Sequence, residues 1–126
     1  MMCKTLIIED NATFRQSLRE ILCNKFPSML IEEAANGKEA LQKIGDIPPD
    51  IIFMDIKLPD ESGLNLTKKI KTTYPRIIII ILTSYNIPEY RDAARQYGAT
   101  HFLSKSSSTS NQITELVESI LSDMNQ

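Results

Sequence analysis

A chain of 126 residues, 42% hydrophobic and 24% charged with a formal net charge of −2, is expected to form one domain over 1–126 with its own buried core. The acidic balance argues against direct binding of nucleic acid, which requires a basic surface. No apolar run approaches the ~18 residues of a membrane span, so no membrane insertion is expected.

Five apolar, β-branched runs divide the sequence at regular intervals. They cover 5–8, 29–34, 51–54, 77–82 and 100–103. The first, third and fourth runs are apolar on both faces, as in strands of a parallel sheet that is covered on both sides. The second and fifth runs carry more polar residues, which favours the edges of that sheet.

Segments with helical periodicity fill the gaps between these runs and follow the last one. Asn11 is predicted to cap the first helix, and Gly98 to close the fourth at its C′ position. Thr109 and Gln112 offer a capping box for the fifth helix. Strict alternation of five strands and five helices predicts an α/β fold, with a doubly wound parallel sheet and right-handed crossovers.

The two cysteines, Cys3 and Cys23, do not have the spacing of metal ligands. We interpret both as small thiols, buried or half-buried, in a reducing compartment such as the bacterial cytoplasm.

The residues that follow the predicted strands predict a functional site, because ligands of such folds bind outside the carboxyl ends of the strands. These residues are Glu9 and Asp10 after the first strand, Asp55 after the third, Thr83 after the fourth and Lys105 after the fifth. Any one of them alone would be more simply explained as a helix cap, a turn former or a solvated charge. Their coincidence on one edge predicts that three carboxylates, a hydroxyl and an ammonium group converge.

Such a cluster of acids requires a counter-charge, since two carboxylates ~5 Å apart repel by roughly 3 kcal/mol at an effective dielectric constant of ~20. Oxygen ligands favour Mg²⁺ or Mn²⁺. Among the chemistries open to this group of residues, phosphoryl transfer fits best. Asp55 would be the nucleophile, Glu9 and Asp10 would hold the metal, and Thr83 and Lys105 would contact the phosphoryl oxygens.

Four motifs then identify a family. They are IIEDN at 7–11, DIIFMDIKLP at 50–59 with Gly63 beyond it, ILTS at 81–84 and GATHFLSK at 98–105. With these motifs in this order, the chain resembles the receiver domain of bacterial two-component response regulators from Lys4 to about Met124. The resemblance implies a flavodoxin-like fold with strand order 2-1-3-4-5, which would bring the first and third strands together.

The resemblance also implies a role for each site residue. Asp55 would accept a phosphoryl group, while Glu9, Asp10, Asp55 and the backbone carbonyl of Lys57 would bind Mg²⁺. Thr83 and Lys105 would contact the phosphoryl group. Phe102 occupies the position of a switch aromatic residue, which would rotate inward as Thr83 moves.

The partners implied by the resemblance are a sensor histidine kinase or phosphotransfer protein as donor, and an output domain or effector protein as target. The output domain would lie outside this chain. A homodimer through the face of the fourth helix, fifth strand and fifth helix is a further implication. The domain would help to catalyse its own phosphorylation and dephosphorylation, and would act as a signalling switch rather than as an enzyme with turnover.

One departure from the family pattern concerns the residue after Lys105. The family usually has a proline there in a cis peptide, whereas this chain has Ser106. A cis bond costs ~3–4 kcal/mol before a non-proline residue, against ~0.5–1 kcal/mol before proline. The Lys105–Ser106 bond is therefore either trans with a reshaped loop or held cis at a cost.

Three alternative functions follow from the same residues. A phosphatase with an aspartyl nucleophile would have a second acid where this chain has Lys57. A flavodoxin-like cofactor protein would have a phosphate-binding loop after the first strand, where two acids would repel the phosphate. A receiver that binds partners without being phosphorylated is supported by the missing proline.

Overall fold

Five strands and five helices alternate along the chain in the computed structural model, which describes residues 3–125. The strands are β1 (Lys4–Ile8), β2 (Leu30–Ala34), β3 (Ile51–Met54), β4 (Ile78–Thr83) and β5 (His101–Ser104). The helices are α1 (Ala12–Lys25), α2 (Gly37–Asp46), α3 (Gly63–Thr73), α4 (Pro88–Gln96) and α5 (Ser110–Met124). Residues 1, 2 and 126 of the predicted domain lie outside the described residues.

The strands form one parallel sheet in the order β2-β1-β3-β4-β5, as the resemblance implies. The chain builds outward from β1 in one direction to β2 and in the other to β3, so the topological switch point lies between β1 and β3. Ile8 and Met54 are partners at the carboxyl ends of these two strands. The residues that follow them, Glu9 and Asp55, therefore begin side by side.

Helices cover both faces of the sheet and create two apolar cores. One core lies between the sheet and α2, α3 and α4, and the other lies between the sheet and α1 and α5. All four residues of β3 are buried because their side chains alternate between the two cores. This arrangement explains the continuous apolar runs, since complete burial of one such side chain contributes about 1.5–3 kcal/mol.

The predicted helix signals act where the sequence places them. The Asn11 side chain accepts a hydrogen bond of 3.0 Å from the Phe14 amide at the start of α1. Thr109 and Gln112 exchange the two bonds of a capping box at the start of α5. Gly98 has a φ of +106° just after α4, a conformation that a side chain would strain. These features define where α1 and α5 begin and where α4 ends.

The expected burial of the cysteines is confirmed for Cys3, which is buried, but is wrong for Cys23, which is exposed. Cys23 follows the buried Leu22 on α1, and one residue turns the helix by about 100°, away from the core. Both thiols are free. Between residues 3 and 125, no helix is long and apolar enough to cross a membrane.

Candidate functional site at the carboxyl ends of the strands

Three carboxylates meet at the switch point of the sheet. Glu9 and Asp55 are 3% and 6% exposed, respectively, whereas Asp10 is exposed. One carboxylate oxygen from each residue lies within 4.8 Å of the others. The group therefore has two buried acids and one acid open to solvent.

The backbone around Asp55 fixes its side chain. Its amide donates to the Ile8 carbonyl at 3.1 Å, and its Oδ1 accepts a hydrogen bond of 2.8 Å from the Ile56 amide. The following loop turns back, so that the Gly63 amide donates to the Ile56 carbonyl at 2.8 Å. A Cβ atom at Gly63 would lie 1.9 Å from the Asp55 carbonyl oxygen. The absence of a side chain at Gly63 thus allows the loop to close against the acid.

Lys105 provides positive charge between the two buried acids. Its ammonium pairs with Glu9 Oε1 and lies 3.4 Å from Asp55 Oδ2. It also lies 4.4 Å from the centroid of the Phe14 ring, a cation–π contact that the sequence analysis did not anticipate.

The Lys105–Ser106 bond is trans, because the residues that the structure describes contain no cis peptide. Of the two alternatives for this loop, the trans form is therefore correct. Lys105 still reaches the acids, since its amide donates to the Thr83 carbonyl at 2.9 Å and holds the end of β5 beside β4. The hydroxyls of Ser104 and Ser106 lie 2.9 Å apart and add a local bond to the loop.

Burial raises the pKa of Glu9 above its ordinary value, and the charge of Asp55 adds to this rise. The Lys105 ammonium opposes it, as does the Asn11 amide, which donates to Glu9 Oε2 at 3.0 Å. Glu9 thus depends on nearby positive charge to favour its ionised form. A divalent cation would meet the same need, and three carboxylates with one open to solvent suit a hard ion such as Mg²⁺ or Mn²⁺.

Two further side chains border this site on the β4 side. Thr83 is fully buried, and its Oγ1 accepts a hydrogen bond of 3.3 Å from the Tyr85 amide. The exposed Lys57 places its ammonium 5.1 Å from the centroid of the Tyr85 ring. Sequence reasoning missed this pair, although the signal was present. Lys57 and Tyr85 follow within three residues the last residues of two neighbouring strands, Met54 of β3 and Thr83 of β4, so both lie at the same edge of the sheet.

Phe102 lies on β5, half-buried against the core that contains α4. The Arg91 guanidinium of α4 stacks 4.7 Å from the centroid of its ring. A surface cavity of about 370 Å³ between α4, β5 and α5 is lined in part by Arg91, Arg95 and Phe102. Phe102 therefore packs beside α4 and borders this cavity.

Comparison with known proteins gives a consistent result. The sequence matches the family described as response regulator receiver domain over residues 5–118. It is 37% identical over 109 residues to protein-glutamate methylesterase/protein-glutamine glutaminase 1 of Methanosarcina mazei, covering 85% of this chain and 30% of that protein. It is 36% identical over 108 residues to the transcriptional regulatory protein YdfI of Bacillus subtilis, covering 86% of this chain and 50% of that protein. The chain thus spans half or less of these curated relatives.

Solved structures extend the likeness to the whole fold. A two-component response regulator from Clostridium difficile superposes with a TM-score of 0.91 at 31% identity, covering 98% of this chain and 99% of the other. A response regulator receiver domain protein from Methanospirillum hungatei gives a TM-score of 0.90 at 26% identity, covering 99% of this chain and 98% of the other.

Proposed function

Because this chain belongs to the family of response regulator receiver domains, we propose that it acts as a signalling switch that accepts a phosphoryl group on Asp55 in a Mg²⁺-dependent reaction. One observation carries the proposal. Asp55 is buried at the switch point, one of its oxygens is fixed by the Ile56 amide, and the other faces the Lys105 ammonium. This leaves Asp55 Oδ2 as an oriented nucleophile in a site with compensating charge.

Each neighbouring residue has a distinct part in this proposal. Asp55 Oδ2 forms a bond to phosphorus as the bond from phosphorus to the donor breaks. Lys105 pairs with one equatorial phosphoryl oxygen, and the Thr83 hydroxyl donates to another. Glu9 remains ionised to balance the cation.

A Mg²⁺ or Mn²⁺ ion would be held by Glu9, Asp10, Asp55 and the backbone carbonyl of Lys57, and would neutralise charge on the transferring group. The same groups of the chain would serve both phosphorylation and hydrolysis of the aspartyl phosphate, so the domain would help to catalyse both steps. Turnover of a separate substrate is not part of the proposal. The second residue after Asp55 is Lys57, and its side chain contacts Tyr85 rather than supplying a general acid.

The proposed donor is a phosphohistidine of a sensor histidine kinase or phosphotransfer protein in the bacterial cytoplasm. The proposed target is an output domain or effector protein. Two relatives support this view, because both are longer than this chain and are named as a transcriptional regulatory protein and a protein-glutamate methylesterase. A receiver that only binds partners is disfavoured, because Lys105 reaches both buried acids through a trans bond.

Incubation with acetyl phosphate, followed by measurement of the intact mass, tests the proposed function. We expect a gain of one phosphoryl group with Mg²⁺, no gain in EDTA, and no gain for Asp55→Asn, which keeps the shape of the side chain without its nucleophilic charge. A folded wild-type protein that gains no mass under any condition would contradict the proposal and favour the partner-binding alternative.

We also propose that phosphorylation favours a homodimer through the face of α4, β5 and α5. Arg95 is exposed on α4 and Glu115 is exposed on α5, so a two-fold axis could pair them between protomers. Inward rotation of Phe102 would free Arg91 on the same face. Sedimentation equilibrium should show more dimer after phosphorylation, and Arg95→Glu should abolish that gain. Recovery in the charge-swapped variant R95E/E115R checks the pairing, and a phosphorylated wild type that stays monomeric would refute it.

A further inference from the structure

A side chain outside the acid site holds the peptide group that joins Glu9 to Asp10. Arg15, on the first turn of α1, donates from Nη1 to the Glu9 carbonyl at 2.7 Å. Its Nε donates to Glu33 Oε1, also at 2.7 Å. The Arg15 side chain is only 20% exposed, so water competes weakly for these bonds.

Glu33 is in turn fixed on β2. Its second oxygen, Oε2, accepts a hydrogen bond of 2.9 Å from Arg19 Nη1, and the same nitrogen of Arg19 donates to the Ile31 carbonyl at 3.1 Å. Each oxygen of Glu33 therefore binds a different arginine. A continuous set of charge-assisted bonds runs from the edge strand, across the start of α1, to the loop that carries the acids.

These bonds restrict Glu9 at each of its backbone groups. The Glu9 amide donates to the Ala34 carbonyl at 2.9 Å, and its carbonyl accepts from Arg15. Since a peptide unit is planar, a fixed Glu9 carbonyl also fixes the amide and Cα of Asp10. The exposed Asp10 carboxylate thus projects from a backbone that is held in place before a ligand binds.

We propose that Arg15 is a positioning residue for the acid site, and that its guanidinium couples Glu33 to the Glu9–Asp10 peptide so that both carboxylates are arranged in advance for a divalent cation. The inference rests on the proposed function in taking Mg²⁺ as that cation. Prior arrangement lowers the conformational cost of binding. The planar fork of arginine is required, because a lysine ammonium cannot direct two fixed donors to a carbonyl and a carboxylate in this geometry.

Titration of the folded protein with MgCl₂, followed by amide chemical shifts of Asp10, Asn11 and Asp55, measures cation affinity without phosphorylation. We expect Arg15→Lys to weaken Mg²⁺ binding about tenfold, as for other groups that orient metal ligands. Adding Glu33→Gln to Arg15→Lys should cause little further loss, since the two residues act in one chain of contacts.

Arg19→Lys is the matched control. It disturbs the same carboxylate of Glu33 but makes no contact with Glu9 among the bonds described, so Mg²⁺ affinity should stay within about twofold of wild type. Thermal melts should show that both arginine variants lose stability to a similar degree. A purely structural role would therefore move the melting temperatures and leave the affinities equal.

The outcomes separate this inference from the proposed function. Wild-type affinity in Arg15→Lys, or equal losses in Arg15→Lys and Arg19→Lys, would overturn the inference while leaving the proposed function intact. Absence of any Mg²⁺-dependent shift in the wild type would overturn both. If Arg15→Lys does not fold, Glu33→Gln alone serves as the test, and it should weaken Mg²⁺ binding about threefold by loosening Arg15.

Discussion

Gly63→Ala is expected to lower the free energy of unfolding by about 3 kcal/mol, at the upper end of the usual cost of forcing atoms into a packed site. The new Cβ would lie 1.9 Å from the carbonyl oxygen of Asp55 and 3.0 Å from the Cα of Ile56. Both contacts are with backbone, which cannot rotate away as a side chain could. The first turn of α3 must therefore shift, and its 2.8 Å hydrogen bond from the Gly63 amide to the Ile56 carbonyl must lengthen.

Urea unfolding followed by circular dichroism measures this effect, and Gly45→Ala is its control. Gly45 lies inside α2, and a Cβ atom there would meet nothing within 4 Å. Alanine at an open helical position is expected to stabilise the protein by about 0.5–1 kcal/mol. The two glycine-to-alanine changes should thus have opposite signs. Equal midpoints for wild type and Gly63→Ala would show that α3 does not approach Asp55 so closely.

The displacement caused by Gly63→Ala should also reach the chemistry, because the clash involves the backbone of the proposed phosphoacceptor itself. The Ile56 amide that fixes Asp55 Oδ1 belongs to the same turn. We therefore expect acetyl phosphate to label the variant more slowly than wild type, even at urea concentrations too low to unfold it.

The fold could be predicted from the sequence because its signals are local or repeat along the chain. The run 51–54 coincides with β3, and the runs 5–8 and 77–82 differ from β1 and β4 by a single residue at the ends. Burial on both faces leaves little choice of residue in these strands, so their apolar runs are continuous. Asn11 and Gly98 mark helix ends through bonds or φ angles that involve only nearby residues.

The grouping of acids at the switch point followed from the rule for strand ends, but the contacts that orient them did not. Arg15 and Glu33 are 18 residues apart, and the choice of Glu33 over other acids depends on strand register and side-chain rotamers. Asp60 is a similar case. Its carboxylate accepts hydrogen bonds from the Gly37 and Lys38 amides at 2.9 and 3.0 Å, and the bond from Gly37 is the main cause of its lowered pKa. No local sequence pattern predicts that Asp60, in the loop before α3, accepts hydrogen bonds from amides at the start of α2.

Lys105→Met is expected to have two opposite effects, namely tighter binding of Mg²⁺ and slower phosphorylation. The Lys105 ammonium pairs with Glu9 and Asp55, two of the proposed metal ligands. A divalent cation must share those oxygens with the ammonium or displace it, so removal of Lys105 eliminates a competing positive charge. Methionine is similar to the aliphatic part of the lysine side chain, but it removes the ammonium and with it the cation–π contact with Phe14.

The phosphorylation rate should fall about 100-fold in Lys105→Met, the scale of losing one donor to a developing negative charge. Labelling with acetyl phosphate at saturating MgCl₂ separates this effect from cation affinity. Asp55 remains present, so slow labelling at the same residue is expected rather than none.

Lys57→Met is the matched control for both measurements with Lys105→Met. It removes an ammonium from the rim of the same site, but that group lies over the Tyr85 ring, and the backbone carbonyl of residue 57 is retained. Mg²⁺ affinity should therefore change little.

If Lys105→Met bound Mg²⁺ no more tightly than Lys57→Met, the Lys105 ammonium would not compete with the cation for the acids. If it were labelled as fast as wild type, phosphoryl charge would have to be neutralised by the cation and Thr83 alone. The two results together distinguish a lysine that balances the resting acids from one that acts on the transferring group.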